Sequence, residues 1–259
     1  EDGMQITVKL KEGLKWHDGE AITADDMIFT MDVCSDTNNG AGGTNIVILN
    51  DQPVKYEKVD DLTVKVTLPM ASASYADLLG SLPLIPEHVF EGNPSVVSAG
   101  EANMKGIGSG PYKVTEFKQD EYLLLEKYED YYMGAPSIDK VTFRIISDLS
   151  AQEVALMNGE VNFMELANAP AVAKYEADPN FTVVKYPEGR VNYLAVNKFC
   201  ETVQDPKVVE AVFAALNRDE IIAGAYGDGM AESANSIFSN VNTFYDPSVE
   251  GYTQDVEKA

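Results

Sequence analysis

The residues most able to do chemistry lie close together near the start, in the stretch Trp16 to Asp26, WHDGEAITADD. One of only two histidines, His17, stands there with Asp18, Glu20, Asp25 and Asp26. A histidine among carboxylates could hold a metal ion or move a proton as a general base. Metal ligation from a helix needs ligands at i and i+4 on one face. These acids instead fall in a turn, Asp18-Gly19, and in a first helical turn, where the helix dipole favours carboxylates whatever their role. Thr23 followed three residues later by Asp26 reads as a capping box with Asp in place of Glu. The stretch therefore reads as the passage from a strand to a helix. His88, in IPEHVFE, has no matching partner in the sequence and is expected to be a satisfied surface or core histidine.

Other chemical signatures are weaker. Gly106-Ile107-Gly108-Ser109-Gly110 has the glycines of a phosphate loop. It lacks the Lys-Ser/Thr of a P-loop, and a strand rather than a helix follows it, so a tight turn is expected. No Gly-x-Ser-x-Gly elbow occurs, and neither cysteine has a histidine nearby. Acid pairs such as Asp60-Asp61 are expected by chance among 42 acidic residues, so no glycosidase dyad is read from them. No catalytic residue, metal site or cofactor is assigned, and the chain is not expected to be an enzyme. Cys34 and Cys200 are too few for a disulfide framework or a zinc site. Both are expected to be small, mostly buried thiols, with a bridge between them left open.

The elements that position these residues follow from periodicity. Met4, Ile6, Val8 and Leu10 alternate with polar residues as a half-buried strand. Ala24, Met27, Ile28, Met31 and Cys34 share one helical face. Asn38 to Gly43 is a loop. Val54–Val59 and Leu62–Leu68 form a hairpin about Asp60-Asp61, and Tyr75–Leu79 a short helix. A second hairpin begins after the glycine-rich loop and returns over Tyr122–Tyr128, and Val141, Phe143 and Ile145 alternate as a further strand. Ser150 caps a helix that Gly159 ends. Val161–Glu165 reads as a strand, followed by a helix with Pro170 near its first turn. Phe181–Tyr186 and Gly189–Asn197 read as two strands. Asp205-Pro206 opens a helix whose buried face is Val208, Val209, Val212, Phe213 and Leu216. Strands and helices mix without a βαβ rhythm, so the fold class is α/β of the mixed α+β kind.

The bulk numbers exclude some partners. The chain has 259 residues, 45% of them hydrophobic and 24% charged, with 19 basic residues against the acids for a net charge of −23. Such a charge repels nucleic acid and anionic lipid. No run of about 18 apolar residues occurs. The opening EDGMQITVKL reads as a strand in progress and the end as the first turn of a helix, so the chain is expected to be part of a longer protein.

Four stretches in register carry a resemblance. ITVKLKEGLKWHDGEAITADDMIFTMD is similar to the F/WxDG–TAxDV segment of bacterial extracellular solute-binding proteins of family 5, the peptide/nickel class. GSGPYKVTEF with LEKYEDYYMGAPSIDKVTFRIISD resembles that family's GTGPY block. ALMNGEVNFME resembles its helix–strand step, and NYLAVNKF with DPKVVEAVFAALNRDEIIAGAYGDG its NpfxDxrVRqAlayAiDR block. Asn162, Val209 and Asn217 depart from the usual Asp, Arg and Asp. The resemblance implies a periplasmic-binding-protein-like clamshell of two lobes, present only in part. By similarity, residues 1–103 are a β-rich extra subdomain of lobe I, 104–185 the partial main α/β subdomain of lobe I, and 186–259 the truncated start of lobe II.

The implied function is capture of an oligopeptide or similar small solute for an ABC importer, by closure of the lobes. The partners would be that ligand and a membrane permease, with no nucleic acid, and the protein a monomer. Its place would be extracellular, either lipid-anchored at the cell surface as a lipoprotein or periplasmic. The ligand-binding candidates are Gly189, Arg190, Val191, Asn192 and Tyr193, which would cross near the hinge, together with Glu165 and Asn168 in the loop Glu165–Ala169 after a strand end. A ligand-presenting sensor on the same fold is the alternative, with a secreted carboxylate-dependent hydrolase behind it.

Overall fold

Apolar alternation at the start does produce a strand, and the strand finds its partner far along the chain. The computed structural model describes residues 3–36, 39, 42–93, 100–166, 168–227 and 229–259. The chain divides into two compact units, Glu1–Met157 and Asn158–Ala259. In the first, the order is β1 (Gln5–Lys9), α1 (Ala24–Ser35), α2 (Thr44–Val47), β2 (Ile48–Leu49), β3 (Gln52–Pro53), β4 (Lys55–Asp60), β5 (Thr63–Thr67) and α3 (Tyr75–Gly80). A 3-10 turn (Glu87–Phe90), α4 (Gly100–Met104), β6 (Tyr112–Lys118), β7 (Tyr122–Lys127), β8 (Lys140–Arg144) and α5 (Leu149–Met157) complete it. Of the expected loop 38–43 and the expected boundary 92–106, residues 38, 40, 41 and 94–99 lie outside the described residues.

The β1, β5 and β4 strands form an antiparallel sheet with β5 in the middle, Ile6 opposite Val66 and Val8 opposite Val64. The inward side chains Val64 and Val66 are fully buried against Ala24, Met27, Met31 and Cys34 of α1. Those four were the expected face of the helix, and Ile28 packs at its margin. Burying each such apolar side chain contributes about 1.5–3 kcal/mol. Thr23 begins α1 as expected: its backbone is extended, its hydroxyl accepts from Asp25 N–H, and its own N–H donates to Asp26 Oδ2 at 2.8 Å. A second sheet, β6-β7-β8, has β7 in the middle. The glycine-rich stretch before it is a turn, as expected.

Helix α5 starts one residue earlier than its expected cap. Asp148 Oδ1 accepts the Ala151 N–H at 2.8 Å, and Ser150 lies inside the helix. A carboxylate is the stronger acceptor for a helix N-terminus, because it also meets the positive end of the dipole.

In the second unit, α6 (Ala169–Glu176), a 3-10 turn (Glu201–Val203), α7 (Pro206–Ala215) and α8 (Arg218–Ala225) are the regular elements. Asn168 caps α6, Asp205 caps α7 with Pro206 at its first position, and Asn217 caps α8. The strands expected over Val161–Glu165, Phe181–Tyr186 and Gly189–Asn197 do not form among the described residues. A strand exists only as half of a ladder, and none of the three finds a backbone ladder partner among the described residues.

The expected buried face of α7 is also only half covered. Val208, Val209, Phe213 and Leu216 are partly buried, Val212 is exposed, and Ala214 alone is fully buried. Arg218 closes this end by donating to Ala234 O and Asn235 Oδ1, while Asn235 donates to Val249 O. Both cysteines are free thiols; Cys34 is buried, but Cys200 is exposed, against expectation, because the unpaired segment before it carries it to the surface.

Candidate functional site

Four of the five titratable groups of the WHDGEAITADD cluster, His17, Asp18, Asp25 and Asp26, prove to be occupied by structure. The ring of His17 spans two glycine carbonyl and amide groups: Nε2 lies 2.9 Å from Gly110 O, and Nδ1 accepts the Gly108 N–H at 3.2 Å. The His17 N–H donates to Gly108 O at 2.8 Å, and the ring meets Tyr128 edge-on at 5.1 Å. Tyr128 in turn donates its hydroxyl to Trp16 O. The glycine-rich loop is thus pinned to the loop that opens α1. Asp26, buried, accepts from Thr23 N–H at one oxygen and from Glu87 N–H at the other, 2.9 Å away. Asp25 pairs with Lys58 at 2.7 Å.

His88 is a satisfied surface histidine, as expected, though its partner is one the sequence did not show. Its Nε2 lies 2.7 Å from Asp18 Oδ2 across 70 residues of sequence, a pairing no local pattern could announce. Burial by itself would raise the Asp18 carboxyl, but the hydrogen bonds from His88 and Glu20 N–H outweigh it and hold the group below its ordinary value. Among the described residues no group of three or more His, Cys, Asp or Glu side chains could hold a metal ion. A cavity of about 150 Å³ lined by Leu84, Ile85, Phe90, Ala102, Asn103 and Ile107 is smaller than the pockets that take drug-sized ligands.

The ligand-binding candidates all lie in the second unit, and three contacts draw their two segments together. Tyr186 donates its hydroxyl to Glu165 Oε1 at 3.1 Å, and that carboxylate pushes the phenol above its ordinary pKa. Asn192 donates Nδ2 to Tyr226 Oη at 2.8 Å, just past the end of α8. The next residue, Gly227, packs on the start of α6: a Cβ there would lie 2.7 Å from Ala169 Cβ, and its φ of +85° also demands glycine. Tyr226-Gly227 therefore joins the 189–193 segment to the α6 cap.

The individual candidates differ in what they can offer. Asn168 Oδ1 is consumed by the Ala171 N–H at 2.9 Å, which leaves its amide nitrogen. Ala167 lies outside the described residues. Gly189 has φ +71° and faces Val241 and Ser239. Arg190 is exposed, 3.5 Å from Glu188, an ion pair of little energetic weight in water. Val191 is half-buried, and Tyr193 is 79% exposed. Tyr186, Tyr226 and Gly227 were missed from sequence; the Gly-x-Gly just after α8 was the signal for the last of them. Among the described residues, no backbone N–H or C=O of residues 182–196 has a backbone partner. The segment therefore forms no ladder with the rest of the described residues.

Comparison with known proteins settles the family. Residues 1–259 match the family described as bacterial extracellular solute-binding proteins, family 5. The chain belongs to that family. It is 34% identical over 235 residues to the oligopeptide-binding protein AppA of Bacillus subtilis, covering 88% of this chain and 42% of that one. The substrate-binding protein CtaP of Listeria monocytogenes superposes with a TM-score of 0.89 at 38% identity, over 100% of this chain and 53% of that chain. The structure of Bacillus subtilis AppA in complex with a nonapeptide gives 0.77 at 30% identity, over 99% and 51%. The chain therefore spans about half the length of the relatives it matches, and its mixed α/β fold is that of the corresponding half. The family is one of binding proteins. No helix among the described residues is long and apolar enough to cross a membrane.

Proposed function

We propose that this chain is part of an extracytoplasmic solute-binding protein that captures an oligopeptide or similar small solute and delivers it to an ABC permease. The observation that carries the reading is the unpaired backbone of residues 182–196, flanked by Glu165 and Tyr226. An extended peptide satisfies such a backbone through main-chain hydrogen bonds, whatever its side chains. Gly189 allows close approach and Asn192, held by Tyr226, fixes the backbone. Arg190 suits a ligand carboxylate, and Glu165 and the Asn168 amide suit ligand donors and acceptors. Val191 and Tyr193 offer apolar contact. Residues 1–103 and 104–185 belong to the first lobe of such a protein and 186–259 to the second, with ligand stabilising the closed state. The protein acts as a monomer without a cofactor, either lipid-anchored at the cell surface or free in a periplasm, and is not an enzyme.

A second reading has its own observation. Phe163 and Phe199 are 82% and 96% exposed, more apolar surface than a wet peptide cleft uses. In that reading the segment takes a strand of further protein instead of ligand.

Backbone amide shifts of the chain titrated with a pool of short peptides of defined sequence separate the two. Saturable shifts confined to residues 165–168, 186–193 and 226–227 support peptide capture. No shift there with any member of the pool, at concentrations where weak binding saturates, rejects it.

A further inference from the structure

We propose that Asn158-Gly159, at the junction of the two units, is a site of spontaneous deamidation. The unit boundary falls between Met157 and Asn158, directly past the last residue of α5. Both Asn158 and Gly159 are exposed, and among the described residues the Asn158 side chain has no hydrogen-bond partner. Gly159 has φ +72°, and no heavy atom lies within 4 Å of where its Cβ would stand. The space on that side of Gly159 is open.

The chemistry needs only water. The Gly159 nitrogen attacks Asn158 Cγ, the Cγ–Nδ2 bond breaks, and ammonia leaves, giving a five-membered succinimide. Water then adds to either imide carbonyl and reopens the ring as aspartate or as isoaspartate, in which the main chain runs through Cβ and Cγ.

Of the comparable dipeptides elsewhere, the two whose first residue is described, Asp18-Gly19 and Asn39-Gly40, have that residue held. Asp18, before Gly19, has one carboxylate oxygen on Glu20 N–H and the other on His88. Asn39 donates its amide to Val33 O at 3.2 Å, and Gly40 lies outside the described residues. Asp228, before Gly229, lies outside them too. Conversion of Asn158 places a carboxylate at the C-terminal end of α5, where the helix dipole disfavours it. The isoaspartate form also lengthens the main chain by one methylene at the joint between the units.

The test is mass-spectrometric peptide mapping of the folded chain held in warm, mildly alkaline buffer made with heavy-oxygen water. The expected result is a labelled carboxylate confined to the 158–159 peptide, which splits into two forms of equal mass. It should appear at a rate close to that of a synthetic peptide of the same sequence. The Asn39 peptide stays unchanged, and Asn158→Gln removes the conversion. Protection of residue 158 by an order of magnitude relative to the free peptide overturns the proposal, as does faster conversion at Asn39.

Discussion

Replacing Asp26 tests whether it is a helix cap or a bolt between two segments. Its carboxylate accepts from Thr23 N–H at 2.8 Å and from Glu87 N–H at 2.9 Å, with the residue 4% exposed. One turn on, Thr30 repeats the pattern: its hydroxyl accepts the Ile85 N–H at 2.8 Å and donates to Asp26 O at 2.7 Å. Residues 85–87 are thereby hung on one face of α1, over the contact of Phe29 with Phe90. Asp26→Ala removes the acceptor of both the Thr23 and the Glu87 N–H groups. It thereby strands two donors that are partly or wholly out of water, each costing about 1–3 kcal/mol. Taking about 3 kcal/mol in total and a urea slope of about 2 kcal/mol/M, the midpoint falls by roughly 1.5 M. The single tryptophan, Trp16, is buried in the first unit, so its fluorescence reports that unit alone. Thr23→Ala is the control, since it loses only the cap itself, the hydroxyl's bonds to the first-turn N–H groups of Asp25 and Asp26. It should cost about 1 kcal/mol or less. If Asp26→Ala shifts the midpoint no further than Thr23→Ala, Asp26 is only a cap and the bolt is refuted.

Thr30→Val, nearly isosteric, leaves the Ile85 N–H without its acceptor and should cost about 1–3 kcal/mol by the same fluorescence assay. Asp18 has its carboxyl lowered in the fold, so its contribution is present above its unfolded pKa of about 4 and disappears as pH falls through the folded value. His88→Ala should therefore flatten the acid limb of stability against pH, by less than about 1 kcal/mol because the pair is partly solvated; an unchanged limb would refute the coupling. Gly227→Ala forces a Cβ against Ala169 at φ +85° and should cost about 1–3 kcal/mol in the second unit. Faster hydrogen exchange at the first amides of α6 would show it, and Ala169→Gly in the same chain should restore part of the protection.

Local signals in the first unit were legible because each was completed nearby. Thr23 and Asp26 sit three residues apart, and the hairpin over residues 54–68 closes about its own turn, so the pattern and the contact are the same length. Register followed too: once Val64 and Val66 must face inward, a slip of one residue would expose both. His88 and Asp18 were not legible, since a contact across 70 residues leaves no trace in spacing. Asp26 was read for half its work, the half that lies within three residues.

The second unit shows where periodicity stops being evidence. Residues 181–197 are as rich in strand-forming side chains as residues 4–10, yet β1 has β5 beside it and the later segment has no ladder. Alternation states which side chains would share a face if a partner came; it cannot supply the partner. The same holds for α7, whose apolar stripe is present although only Ala214 is fully covered. The candidate residues were chosen for a crossing near the hinge and for a loop after a strand end, and the structure has no strand at either place among the described residues. What folding adds is two side-chain contacts, Tyr186 with Glu165 and Asn192 with Tyr226, which hold the segment to the rest of the second unit where alternation alone could not.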